Sequence, residues 1–317
     1  MAEHLNEAVA QSLVAALVAE ALVRLWGVDS PHQRLAWRVA TLIGPLVLLV
    51  AFELLAPARH GDGFGFGPAL FSTRHLRALT LWGTGVDRLW PWPVWGLGAL
   101  LLGRDLLTLL SERARPQPPE LGPAPEVVTS VVARLCEARN MAPPRVVEVR
   151  STEPLLLCVG VREPRLLVSR ALIELLDEGE LEAALAHELS HVSRRDVRWG
   201  WLLLGARVLQ AFNPVAQVLG RMSAHELERR ADADAAQWTG RPAALASAVL
   251  KVYGEGPAVG WGEQTLGDRL EQARAWAVED RCRNLLARPR QPAWAPPGPA
   301  LSTMAALAIG ALLFFVT

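Results

Sequence analysis

Four long apolar stretches constrain what this chain can fold into more than any other feature. They run over about 8–26, 37–56, 90–110 and 300–317. Each is close to the roughly 20 residues that a helix needs to cross a bilayer core. The last contains no charged residue. The second carries Gly44-Pro45, and the third opens on Trp90, Trp92 and Trp95, which suit the aromatic belt of a membrane interface. Gln11 and Glu20 weaken the first, and Glu20 can pair with Arg24 one turn on. Glu53, Arg104 and Asp105 lie near span ends, where snorkelling to the interface accounts for them. No Lys or Arg precedes the first stretch, so it does not read as a signal peptide. The pattern predicts a mainly α integral membrane protein in contact with a lipid bilayer.

Composition agrees. Apolar residues make up 51% of the chain and charged residues only 20%. The 32 basic and 32 acidic side chains cancel, which gives no ground for a nucleic-acid partner. Lys251 is the only lysine; the reliance on arginine, with abundant Ala, Gly and Pro, reads as a GC-rich bacterial source. Cys136, Cys158 and Cys282 are far apart and form no CxxC. They predict free thiols rather than a disulfide framework or a thiolate metal site.

Two Pro-rich stretches, 113–125 and 288–299, read as linkers. They divide the chain into a membrane region, 1–112, a polar body, 126–287, and the last span, 300–317. Arg113 and Arg115 follow the third span, and Arg281, Arg283, Arg288 and Arg290 precede the last. These arginines predict a body on the cytoplasmic side of the bacterial cytoplasmic membrane, with both termini outside. The loop from Pro57 to Arg88 goes against the rule: it is expected outside yet carries Arg59, Arg74, Arg77 and Arg88.

Within the body, Glu126–Arg139 has helical spacing of valines and leucine. Short β-like runs follow at Val146–Val149, Leu155–Val161 and Arg165–Ser169. Helices resume from Ala171, and Asp177 with Glu180 forms a capping-box pattern.

The helix so opened contains His187-Glu188-Leu189-Ser190-His191, the HExxH pattern. Histidines at i and i+4 share one helix face and can converge on a tetrahedral ion. Glu188 stands beside them, suited to take a proton from a water activated by the metal. Leu185, Ala186 and Leu189 make the helix apolar, and burying the polar trio without a partner is costly. Downstream, Glu228 and Asp232 again stand at i and i+4. Glu228 can complete the metal triad, and Asp232 can fix the tautomer of a ligand histidine. Asp196 is placed to cap or orient the active helix. His225, one turn before Glu228, is a candidate to stabilise the oxyanion, as are Arg229 and Arg230.

HExxH followed by ExxAD resembles the gluzincin metallopeptidases, and two membrane families among them in particular. "HELSHVSRRD" and the later "FNP" at Phe212–Pro214 resemble the BlaR/MecR-type peptidases. "ADADAAQWTG" and "LASAVLKV" resemble the HtpX and CAAX-prenyl-protease relatives. The matching region runs from about Val146 to Tyr253. The resemblance implies a zincin-like α+β catalytic domain with a small sheet, one zinc ion, and hydrolysis of peptide bonds in a protein or peptide substrate. Three spans before the body and one after it are similar to the BlaR/MecR arrangement. The chain stops at Thr317, so a sensor carried beyond the last span is expected to be absent. Two further readings stand beside the peptidase: a transducer answering to a separate regulatory partner, and an inactive membrane scaffold, against which the intact Glu188 argues.

Between the two ligand helices, 199–220 is apolar enough to resemble another span. A single crossing would separate His191 from Glu228 by roughly 30 Å of hydrocarbon, incompatible with bonds of about 2 Å to one ion. The segment is therefore expected to return as a hairpin or to lie at the interface. Arg207 and Asn213-Pro214 near its middle favour a hairpin or an interfacial helix pair.

Overall fold

The fold is described from a computed structural model over residues 2–60, 80–81, 84–85, 89–114, 118–160, 162–253, 278–287 and 298–316. Most of the second Pro-rich linker, most of the loop from Pro57 to Arg88, and Arg115, Arg288 and Arg290 lie outside these residues. The chain divides into two units: Met1–Arg115 with Trp201–Glu226 and Gln291–Thr317, and Pro116–Gly200 with Leu227–Arg290.

The first unit is built on long apolar helices. Helix α1 spans Ala2–Leu25, α2 spans Pro31–Leu55 and α3 spans Pro91–Ala114. Gly27, at φ +58°, ends α1 by letting the Val28 N–H reach back to the Val23 carbonyl at 3.0 Å. Pro31 then starts α2, where its missing N–H is no loss. Within these helices His4–Leu25, Pro31–Leu55 and Pro91–Ser111 are long and apolar enough to cross a membrane. The C-terminal stretch departs from the expected span. Its helix covers Pro299–Phe314, 16 residues or about 24 Å, short of the roughly 30 Å of a hydrocarbon core. It packs on α1 and α2, and buried Gln11 donates to the Val316 carbonyl at 3.1 Å beyond its end. Glu20 accepts from Arg24 at 3.1 Å.

The apolar segment between the ligand helices is a hairpin. Helix α7, Asp196–Leu209, turns at 210–213 into α8, Pro214–Thr239. A turn buried among apolar helices must satisfy its own backbone groups. Asn213 Oδ1 accepts the Val215 N–H at 3.1 Å, and Gln217 Nε2 donates to the carbonyls of Gln210 and Arg207 at 2.9 and 3.0 Å. Two more amides reach outward: Asn213 Nδ2 donates to Ser12 Oγ at 2.9 Å, and Gln210 Nε2 donates to the Leu42 carbonyl at 3.0 Å. Ser12 and Leu42 lie well inside α1 and α2, so the tip meets both near mid-helix. Gly98 of α3 meets the tip from a third side. A Cβ there would stand 2.6 Å from the Phe212 carbonyl carbon.

Several of the described charges in this unit have partners. Arg38 donates to buried Glu226 at 2.5 Å. Asp105 does more than snorkel beside Arg104: it binds Arg207 and Arg221 of the hairpin, the latter through Nε at 2.7 Å.

The second unit is a small sheet covered by helices. Strand β1 is Glu120–Pro123, β2 Arg145–Val149, β3 Leu156–Val159 and β4 Arg165–Ser169, in the order β1-β2-β4-β3. Only the β2–β4 pair is parallel. β1 occupies what the Pro-rich composition suggested was linker. As an edge strand it tolerates Pro123, and Gly122, at φ +144°, sits at a register shift. Helices α4 (Glu126–Glu137), α5 (Arg170–Leu175), α6 (Glu178–Arg194) and α9 (Pro242–Tyr253) bury one face of the sheet; helix α10 covers 278–286. Val128, Val132, Leu166, Val168, Leu185 and Leu189 belong to this core. All three cysteines are free.

The tightness at Gly98 yields a contrast. Gly98→Ala should destabilise the protein by about 1–3 kcal/mol, whereas Gly96→Ala and Gly103→Ala, with open space around them, should be nearly neutral. Thermal denaturation in detergent reads the difference.

Candidate metal centre

Helix α6 begins with a complete capping box. The Glu180 N–H donates to Asp177 Oδ1 at 2.8 Å, and the Asp177 N–H donates to Glu180 Oε2 at 2.9 Å. Such a cap contributes about 1 kcal/mol. The same Glu180 carboxylate accepts from Ser247 Oγ and Lys251 Nζ of α9, each at 2.6 Å. Burial raises its pKa, but Lys251, Ser247 and the Asp177 N–H outweigh this and hold it below the usual carboxylate range. At the other end of α6, Asp234 of α8 accepts from Ser190 Oγ at 2.7 Å and from Arg194 NH2 at 2.9 Å.

Between these two anchors the side chains of His187 and His191 converge with Glu228. The two Nε2 atoms are 3.3 Å apart. Glu228 Oε2 stands 3.6 Å from Nε2 of His187, and Oε1 stands 3.7 Å from Nε2 of His191. A tetrahedral ion with bonds of about 2.1 Å sets its ligand atoms roughly 3.4 Å apart. The Glu228 carboxylate approaches the two nitrogens with different oxygens, with one ligand atom from each residue within 4.8 Å of the others, and these three residues fit the group.

Each histidine is oriented from behind. His187 Nδ1 lies 2.9 Å from Asp232 Oδ1, and His191 Nδ1 lies 2.9 Å from Asp196 Oδ2. A proton on each Nδ1 leaves the Nε2 lone pairs facing one another across the triangle. Both carboxylates are in turn held by arginine. Arg281 binds Asp232 with Nε at 2.8 Å and NH2 at 2.6 Å, and Arg230 NH2 binds Asp196. Arg281 NH1 also faces Glu228 Oε2 at 3.8 Å. The histidine and the carboxylate of each chain carried a visible signal, but Arg281 and Asp234 did not. Arg281 lies 53 residues after Glu228, and only the fold brings it to the site.

The electrostatics follow from this packing. Burial lowers the pKa of His187, but Asp232 and Glu228 overcome it and raise it to about 10 in the metal-free site. Burial raises Glu228, but His187, His191 and Arg281 bring it down to about 2. Burial also raises Asp232, yet His187 and Arg281 hold it well below the carboxylate range. Glu188 is pushed up, chiefly by burial and further by the Glu228 charge, while both histidines and the backbone N–H of Cys158 pull the other way. Glu188 thus lies against β3.

β3 also lies at one edge of the sheet, and among the described residues it pairs only with β4. The β-like run Arg165–Ser169 is β4 and is paired on both sides, so it offers no edge to a substrate. A run with buried residues at four of its five positions belongs in the middle of a sheet. Among the other residues singled out from sequence, Arg230 is taken by Asp196, and Arg229 donates to Asn284 at 3.1 Å. His225 lies on α8 but clusters with the first unit. Tyr253, at the end of α9, bears on Glu188, Arg281 and Glu228 electrostatically; burial and the two carboxylates raise its pKa, so its hydroxyl keeps its proton at neutral pH.

Two outcomes test the centre. Arg281→Met and Asp196→Asn should each weaken zinc binding about 10- to 100-fold, measured by chelator competition. Zinc must also displace the proton of His187, whose pKa near 10 lies above neutrality. Affinity should therefore rise about tenfold per pH unit between pH 6 and 8.

The geometry meets independent resemblances. The profile of the BlaR1 peptidase M56 family matches residues 132–252. The protease HtpX homolog of Thermococcus sibiricus is 30% identical over 168 residues, 41% of this chain and 57% of that protein. The HtpX homolog of Desulforapulum autotrophicum is 28% identical over 186 residues, 47% of this chain and 59% of that one. Protease HtpX homolog 2 of Methanosarcina mazei is 31% identical over 158 residues, 39% of this chain and 54% of that one. The chain spans less than three fifths of the length of these relatives. The body that carries His187, His191, Glu228 and Asp232 is accordingly similar to two kinds of membrane protease, and the chain resembles a membrane zinc metallopeptidase of the BlaR1 and HtpX type.

Proposed function

We propose that the chain is a zinc-dependent endopeptidase of the bacterial cytoplasmic membrane. Its substrates are membrane proteins or juxtamembrane segments, and its catalytic body faces the cytoplasm. The observation that carries this reading is the triangle of His187 Nε2, His191 Nε2 and Glu228, with edges of 3.3–3.7 Å, beside Glu188.

His187, His191 and Glu228 would hold the ion. Bound zinc supplies a Lewis acid that polarises the scissile carbonyl and lowers the pKa of water toward about 7. Glu188 is the general base. Its raised pKa suits a group that takes the proton of the attacking water and returns it to the departing amine nitrogen. Strand β3 offers the substrate an edge. Leu155 turns its carbonyl toward β4, accepting the Ser169 N–H at 2.9 Å, so by alternation Leu156 and Cys158 turn their peptide groups away. An extended segment can pair there as an added strand, which brings its scissile bond past Glu188. Tyr253 is a donor to the oxyanion, since it keeps its proton and bears on Glu188 and Glu228. A membrane-borne substrate is supported by the hairpin, whose tip bonds to residues well inside two candidate spans.

Glu188→Gln decides the matter. The variant, reconstituted in membranes, should keep its zinc and lose about 10²- to 10⁴-fold in cleavage of co-expressed membrane proteins. Equal cleavage by variant and parent refutes the role of Glu188. Well-folded parent protein without zinc removes the metal centre altogether.

A further inference from the structure

Outside the metal centre, charge is unevenly distributed in the first unit. Near the C-terminal end of α3, three guanidiniums surround one carboxylate. Arg221 reaches Asp105 with Nε at 2.7 Å and NH2 at 2.9 Å; Arg104 approaches at 3.4 Å, and Arg207 NH2 completes the set. Three positive charges against one negative leave a net charge of +2. Elsewhere in the unit Arg24 and Arg38 face Glu20 and Glu226.

The position makes the excess matter. Asp105 stands six residues before Ser111, the end of the candidate span, or about 9 Å along the helix. Uncompensated charge at that depth is expensive, and hydrocarbon supplies no counter-ion.

The guanidiniums of Arg207 and Arg221 are also held in place. The stem of Arg207 lies across Gly220 of α8, where a Cβ would stand 2.2 Å from its Cδ. Arg207 Nε donates to Gln217 Oε1 at 3.1 Å, so the head is fixed at both ends. Arg221 NH2 is likewise tied to the Leu101 carbonyl at 2.8 Å. Among the described residues, NH1 of Arg207 and NH1 of Arg221 form no hydrogen bond, and neither is a buried atom lacking a partner. Side-chain exposure rises from 11% at Arg207 through 28% at Arg221 to 58% at Arg104, a graded mouth rather than a closed lock.

We propose that this cluster binds the phosphodiester of an anionic phospholipid. Two fixed guanidiniums, each with NH1 left over, and one exposed guanidinium can donate to the oxygens of a phosphate, and the cluster lies close enough to the end of the candidate span for a headgroup to reach it. Asp105 spaces the arginines and leaves the surplus charge for the lipid. The inference does not depend on the peptidase reading and is tested without any assay of cleavage.

The protein is reconstituted into nanodiscs of phosphatidylcholine containing some phosphatidylglycerol, and lipids retained after extraction are counted by native mass spectrometry. The parent should retain phosphatidylglycerol in preference to phosphatidylcholine. Arg104→Gln, on an exposed side chain that ties no helices together, should lower that preference about fivefold, and Arg207→Gln by a similar factor or more. Asp105→Asn removes the competing carboxylate and should retain phosphatidylglycerol at least as well as the parent. Equal retention of both lipids by the parent overturns the proposal. So does a loss in Asp105→Asn as large as in the arginine variants, which marks a purely structural ion cluster. Stabilisation by inorganic phosphate in pure phosphatidylcholine, without lipid preference, assigns the site to a soluble anion and equally overturns it.

Discussion

Three ligand atoms must meet within about 3.4 Å of one another, and two of them lie on one helix and the third on another. Everything between His191 and Glu228 answers to that constraint. The chain leaves α6, enters the apolar stretch, and must come back before Glu228. A hairpin among apolar helices has to satisfy its turn without water. Gln210, Asn213 and Gln217 do so with side-chain amides, closing the turn on itself and fastening it to Ser12 and Leu42. These amides are buried and bonded, and each is worth more as a partner to the backbone than as a contact between side chains.

A second chain of dependence runs outward from the metal triangle. Histidine, aspartate and arginine follow one another twice, as His187–Asp232–Arg281 and as His191–Asp196–Arg230. In each case a buried carboxylate is shared between a neutral donor and a charged one. At Asp232 the arginine helps to keep the carboxylate ionised, and in both chains the carboxylate holds the histidine by Nδ1. The lone pair needed for the metal is thus fixed by a residue that never approaches it. Removing either arginine leaves a buried carboxylate without its counter-charge, a costly arrangement in its own right.

Much of the ligand set could be read from the sequence because helices repeat every 3.6 residues. HExxH and the Glu228–Asp232 pair announce their faces through spacing alone. Asp177 and Glu180 announce the start of α6 for the same local reason. What spacing does not reveal is long-range partnership. Arg281 gives no sign that it belongs with Asp232, and Asp105 reads as an interfacial charge until Arg207 and Arg221 arrive from the hairpin. Strand order is hidden too. β4 and β3 are both apolar runs, and nothing in Arg165–Ser169 itself says that it is flanked on both sides. Strand β1 was obscured by the prolines around it, since Pro-rich composition signals a lack of helix more than a lack of pairing.

The anchoring of α6 at both ends has a consequence for which ions the site will accept. Glu180 is tied to Ser247 and Lys251, and Ser190 and Arg194 are tied to Asp234. With its helix pinned, the pair of imidazoles cannot spread. Calcium asks for six to eight oxygens at about 2.3–2.6 Å and magnesium for a near-octahedral shell that retains water. A triangle of two nitrogens and one carboxylate with edges of 3.3–3.7 Å offers neither number nor room. If the centre holds zinc as proposed, discrimination between cations would rest on the stiffness of α6 as much as on the identity of the three side chains.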